Sequence, residues 1–109
     1  MSFTKTKHAN YILFSATEDI YSVEALLLSK LINENKNEEC QKIIFDFSQV
    51  TVVASSGISA LINGHLELQK MKKELILVAC QTSVINVFNL LGLHNILKMA
   101  ATLEEATGD

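Results

Sequence analysis

The sequence predicts an α/β fold: a mixed, largely parallel sheet of four to five strands with about four helices packed against it. Three observations carry that expectation. Short β-branched and aromatic runs alternate with longer runs of helical spacing. The 109 residues contain no proline and only 4 glycines, so regular elements must be joined by short polar loops. Hydrophobic residues make up 49% of the chain, too many for disorder and enough for one two-layer core. Residues 1–109 are therefore expected to form one domain, without repeats, low-complexity tracts or linkers.

In chain order, residues 4–7 read as an edge strand and Tyr11-Ile12-Leu13-Phe14 as the first internal one. From Tyr21, the spacing of Val23, Leu26, Leu27, Leu28, Leu31 and Ile32 predicts a helix with a broad buried stripe and Ser22 as its N-cap. The polar residues 33–39 form a solvated turn. Ile43-Ile44-Phe45-Asp46-Phe47 reads as a strand buried on both faces. Val50-Thr51-Val52-Val53 is a second, shorter β-like piece, and helical spacing resumes at Ile58, Leu61, Ile62, His65, Leu66 and Met71. His65 falls on or beside that stripe and reads as a packed histidine. Lys70, Lys72 and Lys73 suit the C-terminal end of the helix dipole and read as a solvated end.

Leu75-Ile76-Leu77-Val78-Ala79-Cys80 is the clearest strand. Thr82 or Ser83 is placed to cap a helix whose apolar residues are Val84, Ile85, Val87, Phe88 and Leu91, with Gly92 as its stop. Leu93 and Ile96-Leu97 supply a last short strand. Thr102 would cap a terminal helix with acids in its first turn. The order β-α-β-α-β-α-β-α implies a largely parallel sheet, whose chemistry lies at the carboxyl ends of its strands.

Charge and residue spacing exclude several function classes. A net charge of −3 argues against a nucleic-acid-binding module. Cys40 and Cys80 show no ligand or redox spacing and read as reduced thiols. His8, His65 and His94 have no metal-site spacing, so no metal or cofactor is expected. No run approaches ~18 apolar residues, and the polar N-terminus lacks a secretory apolar segment, so a cytoplasmic location is expected. No nucleophile–base pair or phosphate loop is legible, and no catalytic residue is assigned.

What remains is Ala54-Ser55-Ser56-Gly57, where strand-like residues give way to helical spacing. Hydroxyls at a helix N-terminus sit beside unsatisfied backbone N–H groups, an environment that favours negative charge. Ser55 is thus a candidate phosphorylation site, with Ser56 as second choice. Asp46, a carboxylate within an apolar strand, requires hydrogen-bond donors. It could support the Ser55 loop or contact a phosphoryl group or its metal directly.

The segment Asp46-Phe47-Ser48-Gln49-Val50-Thr51-Val52-Val53-Ala54-Ser55-Ser56-Gly57-Ile58 resembles the STAS-domain pattern D-x-S-x-V-x-x-x-D-S-S-G-L. Residues 75–79 resemble the strand that follows it, Val87-Phe88-Asn89-Leu90-Leu91-Gly92-Leu93 the family's helix ending in G-L, and Leu103-Glu104-Glu105-Ala106 its usual close. The resemblance spans nearly the whole chain and is nearest to the stand-alone bacterial anti-sigma factor antagonists. It implies a non-enzymatic module that binds an anti-sigma factor when unmodified. That partner, itself a serine kinase, phosphorylates the first serine of S-S-G, here Ser55, and the modified antagonist lets go; a cognate phosphatase would reset it. Asp19 resembles the family aspartate near the phosphorylation loop, with Ala16 in place of the preceding glycine. The family's D-S-S-G stands here as Ala54-Ser55-Ser56-Gly57, without the acid. Residues 72–74 replace the glycine-rich turn before the next strand. Some STAS domains lack the switch and serve as constant adaptors of transporters or signalling scaffolds, the alternative function for this chain. The sequence leaves the oligomeric state open.

Overall fold

A computed structural model describes residues 2–108. Among them run β1 (Phe3–Lys7), β2 (Tyr11–Ala16), α1 (Ser22–Asn35), β3 (Lys42–Asp46), α2 (Ser55–Lys70), β4 (Glu74–Val78), α3 (Thr82–Leu90), β5 (Lys98–Ala100) and α4 (Leu103–Thr107). One 3-10 turn, Leu93–Asn95, precedes β5. The strands lie in the order β1-β2-β3-β4-β5. The β1–β2 hairpin is antiparallel and every later pairing is parallel, giving a five-stranded mixed sheet.

Each parallel crossover advances one place in the same direction. Right-handed connection then puts α1, α2 and α3 on one face. Ile12, Phe14, Ile43, Phe45, Leu75 and Leu77 meet them there, packed with Leu28, Ile32, Leu61, Leu68, Val84 and Phe88. Phe45 is the hub of this core, stacked on Phe14 at 5.3 Å and edge-on to Phe3 at 5.9 Å between ring centroids. The opposite face carries Ile44, Ile76 and Val78, covered by Ala106 and Leu103 of α4. β3 is therefore buried on both faces, as its apolar run predicts.

Several local expectations are corrected. Residues 50–53 form no strand; only Val53 pairs, in a single bridge to Ile20. The last strand is Lys98–Ala100, because Gly92 at φ 73 and the 3-10 turn carry the chain past Leu97 first. The N-caps of α1 and α3 are Tyr21 and Gln81, in place of the expected Ser22 and of Thr82 or Ser83. At α1 the Glu24 carboxylate accepts from the Tyr21 N–H at 3.0 Å, half of a capping box. Thr102 does cap α4, accepting from the Glu105 N–H at 3.2 Å.

Periodicity also overcounts the core. Val23 and Leu26 of α1 are exposed, as are Ile85, Val87 and Leu91 of α3. Nor is the 33–39 turn wholly solvated. Asn35 is buried, donates to the Leu31 carbonyl at 2.8 Å and accepts from Lys5 Nζ at 2.8 Å. Lys73 is no free helix end either: its Nζ donates to the carbonyls of Lys36 (2.6 Å) and Glu38 (2.7 Å). Lys72 takes φ 60, so a lysine sits in the left-handed turn where the glycine-rich pattern is missing, a conformation costing roughly 1–2 kcal/mol without glycine.

Candidate functional site

The chain leaves β3 at Asp46 and enters α2 at Ser55, at the carboxyl end of the parallel strands. The segment between them is fastened from three sides. Below, the Phe47 N–H extends the ladder to the Val78 carbonyl at 3.0 Å, and fully buried Val50 anchors a turn through its N–H to the Phe47 carbonyl. On the β2–α1 side, Asp19 clasps the segment. Its Oδ1 accepts from the backbone N–H groups of Thr51 (2.6 Å) and Val52 (3.2 Å), and the Thr51 hydroxyl donates to the same carboxylate at 2.9 Å. Ile20 continues the seam, donating to the Val52 carbonyl at 2.9 Å and accepting from the Ala54 N–H at 2.8 Å. On the α3 side, Gln81 Nε2 donates to the Ser48 carbonyl at 2.9 Å and the Ser83 hydroxyl to the Thr51 carbonyl at 3.3 Å. The left-handed Ala79 (φ 57) turns the chain out of β4 ahead of them.

These donors set the state of Asp19. The Thr51 backbone N–H, aided by the Thr51 hydroxyl and Val52 N–H, holds its carboxyl below the ordinary aspartate value against partial burial. It is a fixed anion one residue from the Ile20 bridge.

Ser55 and Ser56 open α2 and both are exposed. The first helical bond runs from the Ile58 N–H to the Ala54 carbonyl at 3.0 Å. The N–H groups of Ser55, Ser56 and Gly57 therefore have no intrahelical acceptor. Ala54 is the N-cap and has no side chain with which to cap them. Gly57 is buried where α2 presses on the seam: a Cβ there would come within 2.7 Å of Ile20 Cγ2 and 2.9 Å of Val53 Cγ1. The glycine of S-S-G is thus a packing requirement that fixes where Ser55 stands relative to Asp19.

Asp46 is placed differently. Strand alternation puts it on the Ile44 face, away from α1, α2 and α3. Its Oδ1 accepts from the Ser48 N–H at 2.8 Å, so its role is to hold the first turn of the loop. The structure thus brings together Asp19, Ala54, Ser55, Ser56 and Gly57, and sets Asp46 beneath the loop's start. Sequence reasoning missed Thr51, the donor that Asp19 grips; nothing in the pattern marks it.

The rim of the junction is apolar. Val52 is 41% and Val87 45% exposed. A cleft of about 160 Å³ opens between the loop and α3, lined by Val52, Val53, Val87 and Phe88 among others. The chain's 9 basic residues are all lysines. None stands in this loop: five lie in or at the amino-end turns of β2, β3, β4 and β5, and two more end α1 and α2. Burial and the charge of Asp46 push the Cys80 thiol up to about 11, which leaves it protonated and unreactive at neutral pH. Among the described residues no three His, Cys, Asp or Glu side chains could jointly hold a metal ion, and no helix is long and apolar enough to cross a membrane.

A family model described as STAS domain matches residues 2–106. No curated protein matches the sequence. Among solved structures, a candidate anti-sigma factor antagonist from Thermotoga maritima is 21% identical, with a TM-score of 0.88 over 97% of this chain and 92% of that one. The Bacillus cell fate determinant SpoIIAA in its phosphorylated form is 19% identical, with a TM-score of 0.74 over 97% and 96%. The murine solute carrier 26 family anion transporter is 17% identical, with a TM-score of 0.78 over 94% of this chain but 18% of that one. At these identities the likeness is one of fold.

Proposed function

The chain belongs to the STAS domain family, and from that premise we infer that it is a non-enzymatic, phospho-regulated antagonist of an anti-sigma factor. In this reading the unmodified junction docks on an anti-sigma factor that is also a serine kinase. The kinase transfers the γ-phosphoryl group of ATP to Ser55 Oγ, whose proton passes to a base on the kinase, and ADP leaves. A cognate phosphatase hydrolyses the ester.

One observation carries the reading. Ser55 presents an exposed hydroxyl on a helix N-terminus whose free amides tolerate a phosphate, within a loop clasped by the anion Asp19. The phosphate adds roughly 1.5 to 2 negative charges and three acceptor oxygens. No lysine of the loop is present to pair with it. The new charge therefore faces the partner, over an apolar rim that would have to be desolvated with it. A loss of about 2–3 kcal/mol in binding, or ~30- to 150-fold, follows from such a mismatch.

The test is intact-mass measurement after incubation with ATP and a candidate partner kinase. Wild type should gain one phosphate, Ser55→Ala none, and the phosphorylated protein should lose the complex on size exclusion. A gain that persists in Ser55→Ala moves the site to Ser56. No gain with a kinase that binds the protein removes the switch and favours the second reading, a constant adaptor. Ala54 is the observation behind that alternative, because an uncapped α2 lacks the acid that the family pattern places before the phospho-acceptor.

A further inference from the structure

A second feature lies on the same helices and does not depend on Ser55. α1 and α2 cross where Gly64 lets Ile32 come into direct contact, since a Cβ at that glycine would overlap Ile32 Cδ1. Beside the crossing is a groove of about 140 Å³, several times the volume share of one water, floored by Ile32 and Ala60. Its polar lining is Ser29 and Asn33 from α1 with Asn63 and Glu67 from α2. Glu67 lines the groove with its Oε2 beneath the surface, buried and without a hydrogen-bond donor among the described residues. A buried carboxylate oxygen without a donor costs stability. Two leucines stand beside the lining residues on the helix surface, Leu26 one turn before Ser29 and Leu66 next to Glu67, at 74% and 47% exposure.

We propose that this groove is a docking site for a cationic side chain, lysine or arginine, of a protein partner, with Glu67 as its counter-ion. The groove offers acceptors and no cation of its own: the amide oxygens of Asn33 and Asn63 and the Ser29 hydroxyl can take the N–H groups that Glu67 does not. The flanking leucines suit the aliphatic stem of such a side chain. A hard divalent ion fits poorly, because the lining holds a single carboxylate to balance its charge. Ser56, Ala60, Asn63 and Glu67 recur at helical spacing along α2, so a partner seated at Glu67 also reaches the helix end that bears Ser55.

Amide-resolved NMR titration with methylguanidinium and, separately, methylammonium chloride at constant ionic strength tests this. Saturable shifts at Ser29, Asn33 and Asn63, weakened at least about tenfold in Glu67→Gln, are expected, and the tighter probe identifies the head group. Shifts that do not saturate, or that are unchanged in Glu67→Gln, overturn the proposal. A second measurement separates binding from architecture. Glu67→Leu removes the unpaired oxygen and should raise the melting temperature by ~3 °C, whereas a fall would show that Glu67 is structural and would also overturn it.

Discussion

The two ends of the sheet are fastened by opposite chemistry. At the amino end, ammonium groups grip oxygens. Lys73 spans the carbonyls of Lys36 and Glu38, Lys42 reaches the Ala106 carbonyl at 2.8 Å, and Lys7 and Lys98 pair with Glu38 and Glu74 at 2.7 Å each. At the carboxyl end, carboxylates and hydroxyls grip backbone: Asp19 holds Thr51 and Val52, Asp46 holds Ser48, and Ser83 holds Thr51. The amino end satisfies helix C-termini and leaves little over. The carboxyl end spends its acceptors on the loop and leaves the first amides of α2 open. One end is closed by its own side chains; the other is held rigid yet unfinished, the condition a modifiable, partner-facing surface needs.

Substitutions can break or sharpen that contrast. The largest effect is expected at Gly57→Ala, where the added methyl must displace Ile20 and Val53. A loss of about 2–3 kcal/mol in urea denaturation is expected, together with weakened partner binding. Lys73→Met keeps the aliphatic stem and removes the ammonium from two carbonyls, costing about 2 kcal/mol while leaving partner affinity unchanged. A change in affinity there would mean that the two ends are not independent.

Asp19→Asn is expected to cost about 1 kcal/mol at pH 7, since the clasp is partly exposed. Its pH dependence is diagnostic. The folded carboxyl titrates below its unfolded value, so its contribution is complete above the unfolded value near ~4 and fades as pH falls through the folded one. Wild type and Asp19→Asn should thus converge in stability in acid, as followed by denaturation from neutral pH downward. The smallest effect has the opposite sign. Ala54→Asp supplies the missing cap and should stabilise α2 by ~0.5–1 kcal/mol. If it also raises the rate of Ser55 phosphorylation, loop shape is what Ala54 limits.

The legible parts of the molecule were those written in local pattern. Ile43, Ile44 and Phe45 announce a strand buried on both faces, and Ser55-Ser56-Gly57 after an apolar segment announces a strand-to-helix junction. The clasp of Asp19 on Thr51 was not legible, because it joins residues 32 apart and exists only once β2 and β3 pair in register. Lys73 and Glu38, 35 residues apart, likewise meet only once β3 and β4 pair. Leu26, Val87 and Leu91 mislead for another reason. Helical spacing reports that a face avoids water, not whether the core or a partner removes it.

Keeping all the lysines out of the junction also makes the protein an oriented dipole in solution. A partner with a basic surface would be turned toward the Ser55 end before any contact forms, and its encounter rate should fall steeply with added salt. A phosphate on Ser55 deepens that field without reversing it. The modified protein would still be drawn in at long range and rejected only on contact, so the switch would act on how long the complex lasts, and hardly on how often it begins.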